Sequence, residues 1–111
     1  MAFEKFQECI DACYACAAAC DYCSSACLND DDVKMMSRCI ALDMDCAQMC
    51  QMPAAYAARD SEFASAISTQ CAEICAACAE ECAKHSTAHC LQCAQACQRC
   101  EEACLTMSDA A

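Results

Sequence analysis

Glycine and tryptophan are absent from this 111-residue chain, and proline occurs once. Glycine and proline shape the turns of all-β folds, collagen-like repeats and flexible linkers, so those architectures are excluded. Basic residues are scarce too, six Lys and Arg against seventeen Asp and Glu, for a formal charge of −11. Such a surface repels nucleic acid and anionic membranes. It keeps the protein in solution and exerts a weak pull on cations. No apolar run approaches the ~20 residues of a membrane-spanning helix. The start, Met1-Ala2-Phe3-Glu4-Lys5, lacks the charged-then-apolar pattern of an export signal. A cytoplasmic location is therefore expected, although a chain trimmed of such a signal would read the same.

What the chain has instead is cysteine, eighteen of 111 residues. The first run is Cys9, Cys13, Cys16, Cys20, Cys23 and Cys27. Steps of four and three alternate along it, which is the a/d seam of a helix facing other helices. Three more segments repeat the device: Cys39, Cys46, Cys50; then Cys71, Cys75, Cys78, Cys82; then Cys90, Cys93, Cys97, Cys100, Cys104. In an ordinary bundle these positions are Leu, Ile and Val. Cysteine at this density in a short chain usually means a secreted disulfide scaffold. Disulfide scaffolds are loop-rich, however, and these cysteines lie on long glycine-free helices. Packed helix axes stand about 8–10 Å apart, while a disulfide needs Cα atoms within about 7 Å. Free thiols in a reducing compartment are the expectation.

The chain reads as one domain, residues 1–111, of all-α class: an antiparallel up-down-up-down four-helix bundle with a cysteine-lined core. The first helix is expected over Phe3–Leu28 and the turn over Asn29-Asp30-Asp31-Asp32, whose last aspartates can cap the next helix. The second runs from about Val33 to Met52, where Pro53 ends or kinks it, and Ala54–Arg59 forms a bridge, either helical or not. Asp60 or Ser61 caps the third, which reaches about His85; Thr87 caps the fourth, Ala88–Met107. Followed outward, the seam places Phe6, Met52, Pro53, Ile67 and Met107 at one end as an apolar plug. The other end gathers Cys27, Cys82, Cys90, Met35, Met36, His85 and His89, where ions would enter.

Thiolates select Cu(I), Zn(II) or iron–sulfur clusters. Seam residues three or four apart have Cβ atoms about 5–6 Å apart, and a metal–thiolate bond is about 2.3 Å. Neighbouring cysteines can therefore clamp a near-linear Cu(I), and bridging sulfurs bring a filled tube close to one copper per cysteine. Each Cu(I) replaces one thiol proton, so the filled core stays near neutral. Buried Zn(Cys)4 sites would each carry a double negative charge, which a low-dielectric core opposes. Iron–sulfur sites need bent loops, and metallothionein-like chains use adjacent cysteines or C-x-C; neither pattern occurs here. Eighteen cysteines in step are hard to read as small buried hydrophobes alone. His85 and His89 read either as ordinary turn histidines or as ligands at the mouth. Met35 and Met36 are candidate entrance groups, while Met44, Met49, Met52 and Met107 read as packing. Asp43 interrupts the seam between Cys39 and Cys46 and reads as a core carboxylate or an oxygen ligand. Tyr14, Tyr22, Ile10, Ile40, Ile74 and Leu91 lie off the seam, free to pack between helices or between subunits.

Four cysteine-seamed helices, Cys-Ile-Ala-Leu-Asp-Met-Asp-Cys at 39–46 and Cys-Ala-Lys-His-Ser-Thr-Ala-His-Cys at 82–90, resemble the bacterial copper storage proteins. The missing export signal is similar to their cytosolic branch. The resemblance covers nearly the whole chain. It implies a bundle filled with Cu(I), a homo-tetramer, and a role in storing copper or keeping it from harm. It also implies that the eighteen cysteines are the ligands and that His85 and His89 stand at the open end. Met35 and Met36 fall outside the family pattern. No nucleophile–base pair is indicated, so a store is expected and not an enzyme. The rivals are a zinc or general soft-metal buffer, and a protein cycling thiols and disulfides; the latter calls for one exposed low-pKa cysteine with a resolving partner.

Overall fold

The computed structural model describes residues 6–110, with the side chains of 6–109. Four helices follow one another: α1 (Gln7–Cys27), α2 (Ser37–Ala58), α3 (Ala64–Cys82) and α4 (Ala88–Ala110), with a 3-10 turn at Val33–Met36 leading into α2. Among the described residues there is no strand. Alanine and unbranched side chains favour helix throughout. Short connections force antiparallel neighbours, and α1 packs on α2, α2 on α3, α3 on α4 and α4 back on α1. The product is a slender bundle of 47 × 18 × 18 Å. Among the described residues no helix is long and apolar enough to cross a membrane.

The helix count and order follow the expectation; several ends do not. Residues 3–5 of the first expected helix lie outside the described residues. Pro53 does not end α2, which continues through it to Ala58, so the bridge after Pro53 is helical. Asp30–Asp32 do not cap α2: the 3-10 turn intervenes, and the Asp30 carboxylate instead accepts from the Asp32 N–H at 3.0 Å. The third helix begins later than expected, at Ala64, and stops at Cys82, leaving His85 in the turn beyond. Thr87 does cap α4, its Oγ1 accepting from the Cys90 N–H at 3.4 Å.

The two bundle ends differ in chemistry. At the α1 start, Phe6, Pro53, Ala54, Ala57, Ala64 and Met107 are buried. Ile67 is half-buried there, and Met52 is exposed at 37%, so Met52 is not part of the plug. Its position on α2 turns it from the axis, while Pro53 beside it turns in. The opposite end carries the Cys27, Cys82 and Cys90 sulfurs, the 3-10 turn and the α3–α4 connection. Off the seam, Ile10 is buried and Ile40 and Ile74 pack against the core, whereas Tyr14, Tyr22 and Leu91 are exposed.

Candidate metal centre

All eighteen cysteines are free and buried. The four seams point at the bundle axis, so their sulfurs form one column. Near the plugged end, Cys13 Sγ lies 3.5 Å from Cys104 and 3.6 Å from Cys100. Further in, Cys50 lies 3.7 Å from Cys71 and Cys46, and 3.8 Å from Cys75 and Cys100. At mid-bundle Cys16 and Cys97 are 3.6 Å apart, as are Cys20 and Cys93. At the end opposite the plug Cys39 and Cys82 approach to 3.3 Å, and Cys27 and Cys90 to 3.8 Å.

These sulfurs group in fours whose members all lie within 4.8 Å of one another. Cys13, Cys71, Cys100 and Cys104 form one such set near the plug, and Cys23, Cys27, Cys39 and Cys90 another at the opposite end. Two sets, one of Cys16, Cys20, Cys46 and Cys97 and one of Cys16, Cys46, Cys50 and Cys75, share two sulfurs. Shared corners make the column a continuous ligand field rather than a row of separate cages. The closest sulfurs, at 3.3–3.8 Å, stand nearer than the ~4.6 Å of a linear S–metal–S unit, so a two-sulfur clamp on a soft ion calls for the side chains to spread. Burial opposes ionisation of the bare thiols: desolvation is the first cause pushing Cys27 and Cys90 up.

Asp43 stands in this column, fully buried. Its Oδ1 lies 3.2 Å from the sulfurs of Cys78 and Cys93 and 3.3 Å from Cys82, and Oδ2 lies 3.7 Å from Cys39. Desolvation pushes its carboxyl up to about 10.

At that same end both histidines are half-buried, Met36 is buried and Met35 is exposed. His85 Nε2 sits 3.0 Å from Glu81 Oε2, and His89 Nε2 sits 3.3 Å from the Thr87 hydroxyl. The bond from His85 and the nearby Lys84 charge hold the Glu81 carboxyl below its usual range. Sequence reasoning missed Glu81; its signal was the four-residue step to His85 on a helix's last turn. It also missed Ser68, which takes the seam position three residues before Cys71 and whose Oγ is buried with no hydrogen-bond partner among the described residues.

Known proteins share this architecture. A family model described as "copper storage protein" matches residues 2–109. The Cu(I)-bound copper storage protein BsCsp3 of Bacillus subtilis is 40% identical, with a TM-score of 0.88 over 97% of this chain and 99% of its own. The copper storage protein Ccsp of Streptomyces lividans, solved with 10 copper equivalents, is also 40% identical, with a TM-score of 0.91 over 96% of this chain and 85% of its own. A cysteine-rich Bacillus subtilis protein, YhjQ, is 42% identical over 88 residues, 78% of this chain and 82% of that protein. Sequence match, fold and sulfur column agree, and the chain belongs to the copper storage protein family.

Proposed function

We propose that this chain stores Cu(I) in the cytoplasm, as one domain, many ions at a time. The observation that carries the reading is the column of buried sulfurs, interrupted at Asp43, whose middle four-thiol sets share corners. Each ion replaces a proton, R–SH + Cu(I) giving R–S–Cu + H⁺, so a full column buries little net charge. The ligands are the eighteen cysteines, Cys9 to Cys104, and His85 and His89 with Met35 and Met36 serve the mouth. The copper-loaded relatives support this cargo, and a Streptomyces relative described as cytosolic supports the compartment. The role is a reservoir, not a catalyst.

Anaerobic titration of the reduced protein with Cu(I), against a competing chelator, tests the proposal. Uptake should approach one ion per cysteine, about eighteen. Four-thiol sets also fit tetrahedral zinc, so a Zn(II) titration runs beside it. Saturation near four ions with zinc preferred would overturn the copper reading. We also propose a homo-tetramer, supported by family membership and by the exposed Tyr14, Tyr22 and Leu91. Light scattering should then give four times the 11.9 kDa chain mass.

A further inference from the structure

Glu81 and Asp43 are the buried carboxylates among the described residues. Asp43 lies inside the sulfur column; Glu81 lies beside it, on the last turn of α3. Three groups converge on Glu81. Arg38, reaching across from α2, donates from Nε to Oε1 at 3.2 Å, and Lys84 Nζ donates to the same oxygen at 3.5 Å. The other oxygen, Oε2, is left for His85 Nε2 at 3.0 Å. Arg38 and Lys84 are mostly exposed, but the His85 side chain is only 15% exposed and Glu81 9%. The ring is thus enclosed against a carboxylate that is itself tied to a second helix.

A neutral imidazole has one N–H and one lone pair, and an ionised carboxylate only accepts. Pairing with Glu81 therefore puts the proton on Nε2 and the lone pair on Nδ1. Carboxylates behind metal-binding histidines fix tautomer and ring orientation in this way. His89 differs. Its Nε2 meets the Thr87 hydroxyl, which donates or accepts equally well, so no tautomer is imposed. We propose that Glu81, steadied by Arg38, is a positioning residue for copper uptake: it orders His85 so that Nδ1 is the nitrogen offered to an incoming Cu(I). The inference rests on the reading that ions enter at this end.

The test uses full-length reduced apo protein and Cu(I) supplied as its bicinchoninate complex, with transfer followed by the chelator's absorbance. Nitrogen-15 NMR of labelled histidine reports the His85 tautomer, which a merely structural role would not move. The parent should show Nε2–H at His85. Glu81→Ala should lose that preference and load about ten-fold more slowly, the size such backing carboxylates carry, with capacity unchanged. Glu81→Gln leaves its one amide oxygen to the Arg38 and Lys84 donors and turns its NH2 toward Nε2, so it should move the proton to Nδ1 and slow loading as well, and circular dichroism checks that both variants are folded. In a His85→Ala background, Glu81→Ala should add nothing. Parental loading by Glu81→Ala while His85→Ala is slow overturns this inference alone. So does an Nδ1–H tautomer in the parent, or the same slowing by Glu81→Ala with and without His85. Parental loading by His85→Ala overturns the entrance reading, and this inference with it.

Discussion

Asp43 occupies a place where the seam calls for a thiol. Its carboxyl is desolvated and ringed by the sulfurs of Cys39, Cys78, Cys82 and Cys93. In the fold it holds its proton up to about 10, whereas in the unfolded chain it releases it near 3.9. The folded apo protein therefore binds one more proton than the unfolded chain between these values, and its stability falls as pH rises through that window. Asp43→Asn removes the linkage. Relative to the parent, that variant should be about equally stable near pH 4 and more stable at pH 7.5, by an amount on the order of 5 kcal/mol, since ~3.6 units of that window lie below pH 7.5 at ~1.4 kcal/mol per unit. Denaturant unfolding of both proteins at the two pH values checks it, and a gap independent of pH would contradict it. At this scale the sulfurs were legible because they recur in step. Asp43 was visible as a break in that step, but spacing alone did not say what surrounded it. Ser68 stands in step with the seam and Glu81 four residues before His85, but spacing alone assigned neither a role; only packing across helices shows that Glu81 is tied to Arg38 and that Ser68 has a buried hydroxyl.

Helix ends are where a glycine-free chain has to improvise. After α2, Asp60 takes a positive φ of 55°, the left-handed conformation usually left to glycine. The Ser61 N–H reaches back to the Tyr56 carbonyl at 2.9 Å, and the Asp60 N–H to Ala57 at 3.1 Å. This pair of bonds is the Schellman closure, built here on an aspartate. Asp60→Gly should relieve the left-handed cost and raise apo stability by roughly 0.5–1 kcal/mol, within the ~1–2 kcal/mol ascribed to that conformation. Thr87→Ala, by removing the α4 cap, should lower it by about 1 kcal/mol. Thermal unfolding of the two variants tests both signs, and neither should alter copper capacity. These details explain why element number and order were legible and element ends were not. The 3.5-residue sulfur rhythm marks each helix body. With glycine missing, the α2 stop had no usual marker, and Pro53 set the expected end at Met52, six residues too early, because the surrounding bundle holds α2 together through it.

Across the whole molecule, the core is made of small neutral side chains that need no metal to avoid buried charge. Reduced, metal-free protein should therefore show a fully helical circular dichroism spectrum, changing little on loading; a coil that turns helical only with Cu(I) would contradict this. Replacing His85 and His89 with alanine should alter the rate of loading or removal and leave capacity within about two ions of the parent, because the column supplies most ligands. Chelator competition measures both quantities, and equal exchange rates would remove the histidines from the pathway. The legibility of the two ends had the same limit as that of the helices: the register placed Phe6 and Met107 correctly, but facing direction, which it did not resolve, put Met52 outside. The plug formed by Phe6, Pro53 and Met107 has a temporal consequence. A column closed at one end works as a stack, last in and first out. On the proposed entry at the Cys27 and Cys90 end, ions there would turn over first, and those beside Cys9 and Cys104 would leave only after the rest. A single chain thereby holds both a current account and a long-term deposit of the same metal, separated by depth alone.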